Sequence, residues 1–313
     1  MHARSGFTRG ILICLAGTAI WSTTAIFIAH LSNHYRLPPL VLAFWRDLFV
    51  ALGLALGLGL LQPSRLRIPH PRRNLVFFVT YGLTLAIFNA LWTTSVALNG
   101  AAVATVLVYS SPAFTALAER RLFGERFGPA RVVALVLSLA GCVLTSGAYN
   151  RDTWRVNPLG IVVGLSGGLA FAAYSIFGKA AHRRGISPWT ATFGAFTMAT
   201  AFLLFLQRQA TLFWLGNPAS GWALLATLAL IPTIGGYGLY TVSLAYLPAA
   251  VANIIVTLEP VMTGMMAYLI LGEQMTSIQL LGGGLILTGV FLLQAAPTRC
   301  DGSQKLGVGR GET

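Results

Sequence analysis

The sequence predicts an all-α polytopic membrane protein with ten transmembrane helices, arranged as two inverted five-helix repeats. Three observations predict this fold class. The 313-residue chain is 56% hydrophobic and only 9% charged, which is far more apolar than a water-soluble globular protein. Its basic residues concentrate on one predicted side of a membrane, and its two halves resemble each other in sequence.

The apolar residues form long blocks. A helix needs about 20 predominantly apolar residues to cross the hydrocarbon core of a bilayer, and only helices and closed barrels satisfy their backbone polar groups in lipid. The blocks lack the two-residue alternation of barrel strands, so we expect helices. Ten blocks of suitable length occur, at residues 10–29, 40–61, 74–92, 101–122, 130–147, 158–180, 189–207, 221–243, 249–271 and 277–295.

The basic residues predict the orientation of these spans. With the N-terminus placed in the cytoplasm, 16 of the 21 Lys and Arg residues fall in cytoplasmic segments and 4 fall outside, while Arg46 lies within the second block. Such a bias predicts that both termini are cytoplasmic, and we expect the plasma membrane, which is the inner membrane in a bacterium. The net charge of +13 is therefore explained by basic residues in the cytoplasmic segments, and we predict no nucleic-acid partner.

The chain contains an internal repeat. The stretch from Ser95 aligns without gaps on the stretch from Ser243, which superposes Pro112 on Pro260 at an offset of 148. Upstream, Gly10 aligns on the residue 150 positions later. The predicted organisation is a cytoplasmic N-terminus, a first repeat, a second repeat and a disordered cytoplasmic tail, at residues 1–9, 10–147, 158–295 and 296–313.

The number of spans in each repeat determines their relative orientation. Because five is odd, the second half must enter the membrane in the opposite sense to the first. Inverted repeats are typical of secondary transporters, whose substrate site lies near the bilayer midplane between the repeats. The repeat alone therefore favours a transporter that works by alternating access.

The paired segments "SPAF…LFGER" and "LEPV…LILGEQ" resemble those of the EamA-type members of the drug/metabolite transporter superfamily. The stretch "AFWRDLFVALGLAL" is similar to the arginine-bearing second helix of that family. The resemblance covers residues 10–295 and implies export or exchange of small metabolites such as amino acids. One departure is that Ser110 and Ser111 precede the proline of the first repeat, where Leu258 and Glu259 precede that of the second.

Glu259 and Pro260 interrupt the ninth apolar block. Proline removes a helical hydrogen bond, and Pro112 does the same in the fourth block. A carboxylate at bilayer depth costs about 2.5–3.5 kcal/mol on insertion scales. Two interpretations remain open: Glu259 binds a cationic group or carries a proton, or it is protonated or hydrogen-bonded locally at the kink.

Arg46 and Asp47 are neighbouring charges in the second block. Adjacent residues of a helix point about 100° apart, so we expect that these two do not share one face well. In one interpretation Arg46 faces the cavity and pairs with a substrate carboxylate or with Glu259. In the other, both charges lie near the outer end of the span and reach the interface.

Further polar residues predict a site at the midplane. Thr105 and Tyr109 are four residues apart and map by the repeat onto Asn253 and Thr257, and this spacing places each pair on one helical face. The other candidates for substrate contact are aromatic or amide side chains of the third and eighth spans, which ordinary packing also explains: Trp92, Tyr240 and Asn89.

The sequence argues against other classes of function. "GLSGG" fits a nucleophile pattern that needs a strand, a turn and a histidine partner, but it lies in an apolar block and all five histidines lie in predicted termini or loops. No zinc motif or phosphate-binding loop occurs, so we predict no catalytic residue, no metal and no cofactor. An intramembrane enzyme and a membrane scaffold remain the alternatives. The predicted partners are a small-molecule substrate and lipid, for a monomer or a homodimer.

Overall fold

A computed structural model of the chain is predominantly α-helical in the residues that it describes. The described residues are 2–66, 71–124, 128–145, 147, 158–207, 209–216, 219–271 and 276–295, and no strand occurs among them. The predicted all-α class is therefore confirmed. The expected tail at residues 296–313 lies outside the described residues.

Among its described residues, the first half contains six α-helices and a short 3₁₀ turn at Pro63–Leu66. The helices are α1 (His2–Trp21), α2 (Thr24–His34), α3 (Pro39–Leu61), α4 (Pro71–Val108), α5 (Ser111–Phe123) and α6 (Pro129–Thr145). Proline occupies the first turn of α3, α4, α5 and α6, where its missing N–H costs no helical hydrogen bond. Gly124 ends α5 with φ of +69°, a left-handed conformation that glycine adopts without steric cost.

In the part of the second half that the structure describes, there are eight α-helices: α7 (Pro158–Arg183), α8 (Pro188–Phe205), α9 (Gln209–Leu212), α10 (Ala219–Leu228), α11 (Ile234–Ser243), α12 (Ala249–Val256), α13 (Glu259–Leu271) and α14 (Ser277–Ala295). A π-helical segment at Ala229–Thr233 joins α10 to α11 and contains Pro232. Because proline has no N–H to donate, the wider π turn is a natural way to carry it within a continuous helix.

The first span is interrupted by polar residues rather than by proline. The hydroxyls of Ser22 and Thr23 donate to the carbonyls of Ala19 and Ile20, at 2.7 and 2.8 Å. Such local bonds compete with the backbone ladder and bend helices. The carbonyl of Ser22 accepts a bond of 3.0 Å from the hydroxyl of Thr263 on α13, so a neighbouring helix compensates the break.

Helix α4 covers one predicted span and the start of the next, and it folds back on itself. A methyl group on Gly164 would lie 2.7 Å from Ser95 Oγ and 2.8 Å from Leu107 Cβ. These two residues are twelve positions apart, which in a straight helix would separate them by about 18 Å. The chain therefore reverses direction between Ser95 and Leu107, although its backbone is helical on both sides of the reversal.

Seven helical segments in the described part of the chain are long and apolar enough to cross a membrane. Two shorter apolar helices, Pro129–Thr145 and Ser277–Leu293, correspond to the predicted fifth and tenth spans. Large apolar side chains on the outside, such as Leu60 and Phe205, are more than four-fifths exposed. Exposed apolar surface of this kind suits contact with lipid chains.

The helices pack across the two halves. α1 packs against α11, α3 against α8, α4 against α7 and α8, α5 against α12, and α6 against α14. The core cluster of buried residues includes Tyr81, Tyr174, Tyr237 and Tyr240, each no more than 2% exposed. Polar atoms are therefore buried where the halves meet, and their partners define the candidate site.

Candidate functional site

Two helix breaks lie at equivalent positions of the repeat. α4 ends at Val108 and α5 begins at Ser111, while α12 ends at Val256 and α13 begins at Glu259. Both boundaries obey the offset of 148 that aligns the sequences. Pro112 and Pro260 each occupy the second position of the following helix, where the missing N–H is tolerated. The two breaks expose backbone and polar side chains inside the bundle.

The breaks bring Tyr109 and Glu259 into contact. The Tyr109 hydroxyl donates to Glu259 Oε2 at 2.8 Å. Tyr109 is buried and Glu259 is partly buried, and the residues lie in different halves of the chain. A hydrogen bond to a carboxylate is stronger than one between neutral groups. The structure thus joins the two halves through a carboxylate at the break of α12 and α13.

Asn253 is the centre of a second polar cluster. Its Nδ2 donates to Thr115 Oγ1 at 2.7 Å, and its Oδ1 lies 3.1 Å from Ser175 Oγ. The hydroxyl of Tyr240 contacts the same Oδ1 and lies 2.6 Å from Ser175 Oγ. Four helices, α5, α7, α11 and α12, therefore meet through one amide side chain, and Thr115 brings in the first half.

Aromatic rings surround this cluster. The ring of Trp21 lies 4.3 Å from that of Tyr237, 6.0 Å from Phe171 and 6.1 Å from Tyr240, measured between centroids. Tyr174 lies 5.7 Å from Tyr237. Rings at such separations in tilted or edge-on arrangements attract one another beyond their simple burial. The result is a rigid aromatic wall next to hydroxyl and amide groups.

Arg46 and Asp47 form a buried pair, and the expectation that they cannot share one face is wrong. Arg46 Nε and one terminal nitrogen each lie 3.1 Å from Asp47 Oδ1, and Asn89 Nδ2 donates to Asp47 Oδ2 at 2.7 Å. Arg46 is 4% exposed and Asp47 is fully buried. The long arginine side chain bends back to its neighbour, because neither charge reaches water and each needs a partner.

The burial of Arg46 argues against the interpretation in which it reaches the membrane interface, and among the described residues its ion pair is with Asp47 rather than with Glu259. Asn89 Oδ1, Tyr81 Oη and Tyr174 Oη are buried and accept or donate no hydrogen bond. Buried polar atoms without partners are uncommon, and these three of the six among the described residues lie on α4 and α7.

The remaining predicted residues lie outside these clusters. The hydroxyl of Thr257 donates to Ile254 within its own helix at 2.6 Å, and its carbonyl accepts from Cys142 Sγ at 3.6 Å. Thr105 is partly buried. Trp92 is partly buried and packs against the core cluster that contains Tyr240, its equivalent in the repeat. The role of these residues in a substrate site stays a prediction.

Sequence reasoning missed Glu119 and Lys179. Glu119 is 2% exposed, and Lys179 Nζ lies 3.2 Å from Glu119 Oε1. The charge count placed Lys179 in a cytoplasmic segment, and Glu119 precedes two arginines in "LAERRLF". No local pattern separates these residues from loop charges, because their contact joins positions 60 residues apart.

The described ranges contain no group of three His, Cys, Asp or Glu side chains that would hold a metal ion. The acidic and basic groups of the interior instead pair with amides, hydroxyls and each other. Such an arrangement can bind and release a polar solute by exchanging hydrogen bonds.

Comparison with known proteins identifies the family. The model of the EamA-like transporter family matches the chain twice, at residues 8–147 and 158–294. The chain belongs to the EamA-like transporter family. Because relatives of this EamA-like protein are named as transporters, the chain is a multi-pass membrane transporter rather than an enzyme.

Three relatives illustrate the similarity. An "uncharacterized transporter" of Archaeoglobus fulgidus is 32% identical over 67% of this chain and 74% of its own length. The "uncharacterized transporter YwfM" of Bacillus subtilis is 28% identical over 92% of this chain and 94% of its own length. The "threonine/homoserine exporter RhtA" of Escherichia coli K12 is 27% identical over 76% of this chain and 77% of its own length.

A solved crystal structure has the same fold. It superposes with a TM-score of 0.73, covers 91% of this chain and 96% of its own, and shares 19% sequence identity. The likeness concerns the fold alone. Together with the double family match, it places the polar clusters described above within an EamA-like helical bundle.

Proposed function

We propose that this protein is a secondary transporter that exports or exchanges small metabolites, in particular amino acids, across the plasma membrane by alternating access. In this proposal ten helices form two inverted five-helix repeats, with both termini in the cytoplasm. The two repeats rock about a polar site near the midplane of the bilayer.

One observation carries the proposal: the contact between Tyr109 and Glu259 at 2.8 Å. It joins the two halves at helix breaks that the repeat makes equivalent. An ionisable residue inside a membrane bundle is costly, so it marks a substrate or proton pathway by default. The nearby cluster of Asn253, Ser175 and Thr115 adds polar groups at the same junction between halves.

The helix count of the proposal rests on the seven candidate spans, the two shorter apolar helices and the reversal within α4. The fourth span then consists of the end of α4 and α5, as the ninth consists of α12 and α13. The contacts between helices support an inverted repeat. The repeat maps the contact of α1 with α11 onto the contact of α7 with α4, and α6 and α14, which are equivalent to each other, are also in contact.

The charges favour a zwitterionic substrate. Arg46 uses two of its nitrogens on Asp47, and its guanidinium has five N–H donors in total, so donors remain for a substrate carboxylate. Glu259 is the complementary acceptor for an ammonium group, and the aromatic wall excludes water between them. The name of the relative RhtA, a threonine/homoserine exporter, is consistent with this chemistry.

The energy source in this proposal is a solute gradient. The sequence contains no phosphate-binding loop that would bind a nucleotide. Glu259 is a carboxylate within the junction between the halves, so we assign it the role of proton carrier if the gradient is one of protons. In that case substrate and proton compete for, or share, the same group.

The proposal is tested by comparing solutes in the medium of cells that express the protein with those of cells that carry the empty vector. We expect one amino-acid-like metabolite to accumulate outside the expressing cells and to lose this enrichment with Glu259→Ala at equal membrane abundance. Exposed Arg73 lies on α4 away from the site, so Arg73→Gln is the matched control and retains export. No difference from the empty vector under several amino-acid loads would contradict the proposal.

A further inference from the structure

Glu119 joins the two halves of the protein at one end of the bundle. Its carboxylate accepts hydrogen bonds from the backbone N–H groups of Ala249, at 2.6 Å, and Ala250, at 3.0 Å. Lys179 Nζ lies 3.2 Å from Glu119 Oε1 and 3.4 Å from the carbonyl of Leu247. Glu119 belongs to α5 in the first half, and all its partners named here belong to the second half.

These contacts satisfy backbone N–H groups at the N-terminus of α12, which the preceding residue does not cap. The first N–H groups of a helix lack partners within the helix, and Pro248, at the cap of α12, provides no side-chain hydrogen bond. A carboxylate at this point is favoured by the helix dipole and by charge-assisted hydrogen bonds. Glu119 is therefore a cap supplied by the opposite repeat, with Lys179 balancing its charge.

The contacts lie next to the polar site. Thr115, one turn before Glu119 on α5, bonds to Asn253, one turn after Ala249 on α12. Cys14 Sγ on α1 donates to the carbonyl of Ala252 at 3.7 Å. The distribution of basic residues assigns this end to the cytoplasm. α5, α7 and α12 are thus held together between the site and the cytoplasmic face.

The repeat does not provide the same contact at the other end. The offset of 148 places Ala267 at the position equivalent to Glu119, and the offset of 150 places Ala29 at the position equivalent to Lys179. An alanine carries neither charge nor acceptor. The two ends of the transporter therefore differ, and the charged contact belongs to one of them.

We propose that Glu119 and Lys179 form a latch that closes the cytoplasmic end of the transporter, and that this structure is the latched conformation. Opening toward the cytoplasm requires Glu119 to leave the N-terminus of α12. Removing either charge favours the state open to the cytoplasm, since a two-state equilibrium shifts by the interaction lost from one state alone. The proposal rests on alternating access, the mechanism proposed above.

Cys14 provides a native reporter for the test. The chain has three cysteines, and Cys142→Ser with Cys300→Ser leaves Cys14, which is 1% exposed. The experiment measures its labelling rate by a membrane-impermeant maleimide in sealed vesicles of each orientation. The variants are Glu119→Gln and Lys179→Met. The matched control is Arg120→Gln, which removes a charge from the exposed neighbour of Glu119.

We expect each latch variant to raise labelling from the cytoplasmic side by about tenfold, within the ordinary range of coupling between two sites, and Arg120→Gln to leave it unchanged. A second reporter retains Cys142 alone. Its Sγ donates to Thr257 beyond the latch, and its labelling from the cytoplasm should not rise by the same factor. Each variant is first checked for a single symmetrical peak in size-exclusion chromatography.

Unchanged Cys14 labelling in folded Glu119→Gln and Lys179→Met protein would overturn the latch. If those two variants do not fold, Glu119→Asp keeps the charge and shortens the side chain by one methylene, and unchanged labelling in it is equally decisive. The test needs no substrate. Increased Cys14 labelling in the latch variants, together with no transport by the wild-type protein, therefore refutes the proposed function and not the latch. Transport by the wild-type protein, together with unchanged labelling in the variants, refutes the latch alone.

Discussion

Tyr109 donates a hydrogen bond of 2.8 Å to Glu259, 150 residues later in the chain. The bond crosses from the start of one helix break to the end of the equivalent break in the other half. A carboxylate held this way has a defined position and a proton donor beside it. Movement of the two halves relative to each other must stretch or break the bond, so it couples the state of Glu259 to the conformation of the bundle.

The charge of Glu259 is tested with Glu259→Gln. The amide keeps an oxygen that accepts from Tyr109 but does not gain or lose a proton. In sealed vesicles, we expect accumulation driven by a pH gradient to fall to the level seen without a gradient, while exchange of labelled for unlabelled substrate continues. Full pH-driven accumulation in Glu259→Gln would exclude this carboxylate as the proton carrier.

Tyr109→Phe is the matched comparison for this experiment. It removes the donor and keeps the carboxylate, so we expect pH-driven accumulation to persist with altered kinetics. Loss of accumulation in Tyr109→Phe and its retention in Glu259→Gln would reverse the assignment, because the hydroxyl and not the carboxylate would then be essential.

The Asn253 cluster predicts a loss of stability. Asn253→Ala leaves Thr115 Oγ1 and the hydroxyls of Tyr240 and Ser175 without the amide that they contact. Hydrogen bonds between membrane helices contribute about 0.6 kcal/mol on average and up to about 1.7 kcal/mol, and the variant loses several bonds to one amide together. We expect the free energy of unfolding in an SDS titration to fall by about 1–2 kcal/mol.

Thr288→Val is the control for that measurement. Thr288 is exposed, and its hydroxyl donates to Gly284 within its own helix, so its loss leaves no partner in another helix unsatisfied. We expect no change in the free energy of unfolding within experimental error. Equal losses for Asn253→Ala and Thr288→Val would show that the cluster contributes nothing specific to the junction between the halves.

Much of the architecture follows from sequence. Apolar blocks long enough to span a bilayer predict helices because lipid satisfies no backbone groups, and the structure is predominantly helical in its described residues. The boundaries were less predictable. Residues around the reversal in α4 include four alanines from Ala97 to Ala104, so local propensity favours helix where the hydrophobic pattern predicts a loop. The ten-helix inverted repeat stays a prediction.

The candidate site was partly predictable for a different reason. Glu259, Asn253 and Tyr240 are polar residues in apolar blocks. Because burying a polar group costs free energy, the sequence alone marks them as candidate site residues. Their partners were not predictable, because Ser175 and Thr115 are common residues of membrane helices that bond to their own backbones. The contact between Glu119 and Lys179 was not predictable for a related reason. Charges near the end of a span resemble loop charges until tertiary contacts bury them.

Close packing predicts a contrast between two glycines. A methyl group on Gly82 would clash with Met198 Cβ and lie 2.9 Å from the backbone nitrogen of Ala199, whereas one on Gly57 would have nothing within 4 Å. Overpacking costs about 1–3 kcal/mol, so we expect Gly82→Ala to lower the free energy of unfolding by that amount. Gly57→Ala should leave it unchanged or raise it slightly, since alanine favours helix. Similar losses in both variants would contradict the close contact of α4 and α8.

Single and double substitutions of Arg46 and Asp47 distinguish a structural role of this pair from a role in transport. Removing one partner leaves a buried charge unpaired, which costs about 3–5 kcal/mol, so Arg46→Met and Asp47→Leu should each reduce the amount of folded protein. The double variant removes both charges and, on the same grounds, should recover folding. If Arg46 binds the substrate carboxylate, the recovered protein still lacks transport. Recovery of both folding and transport in the double variant would make the pair purely structural and would leave the substrate carboxylate to another group.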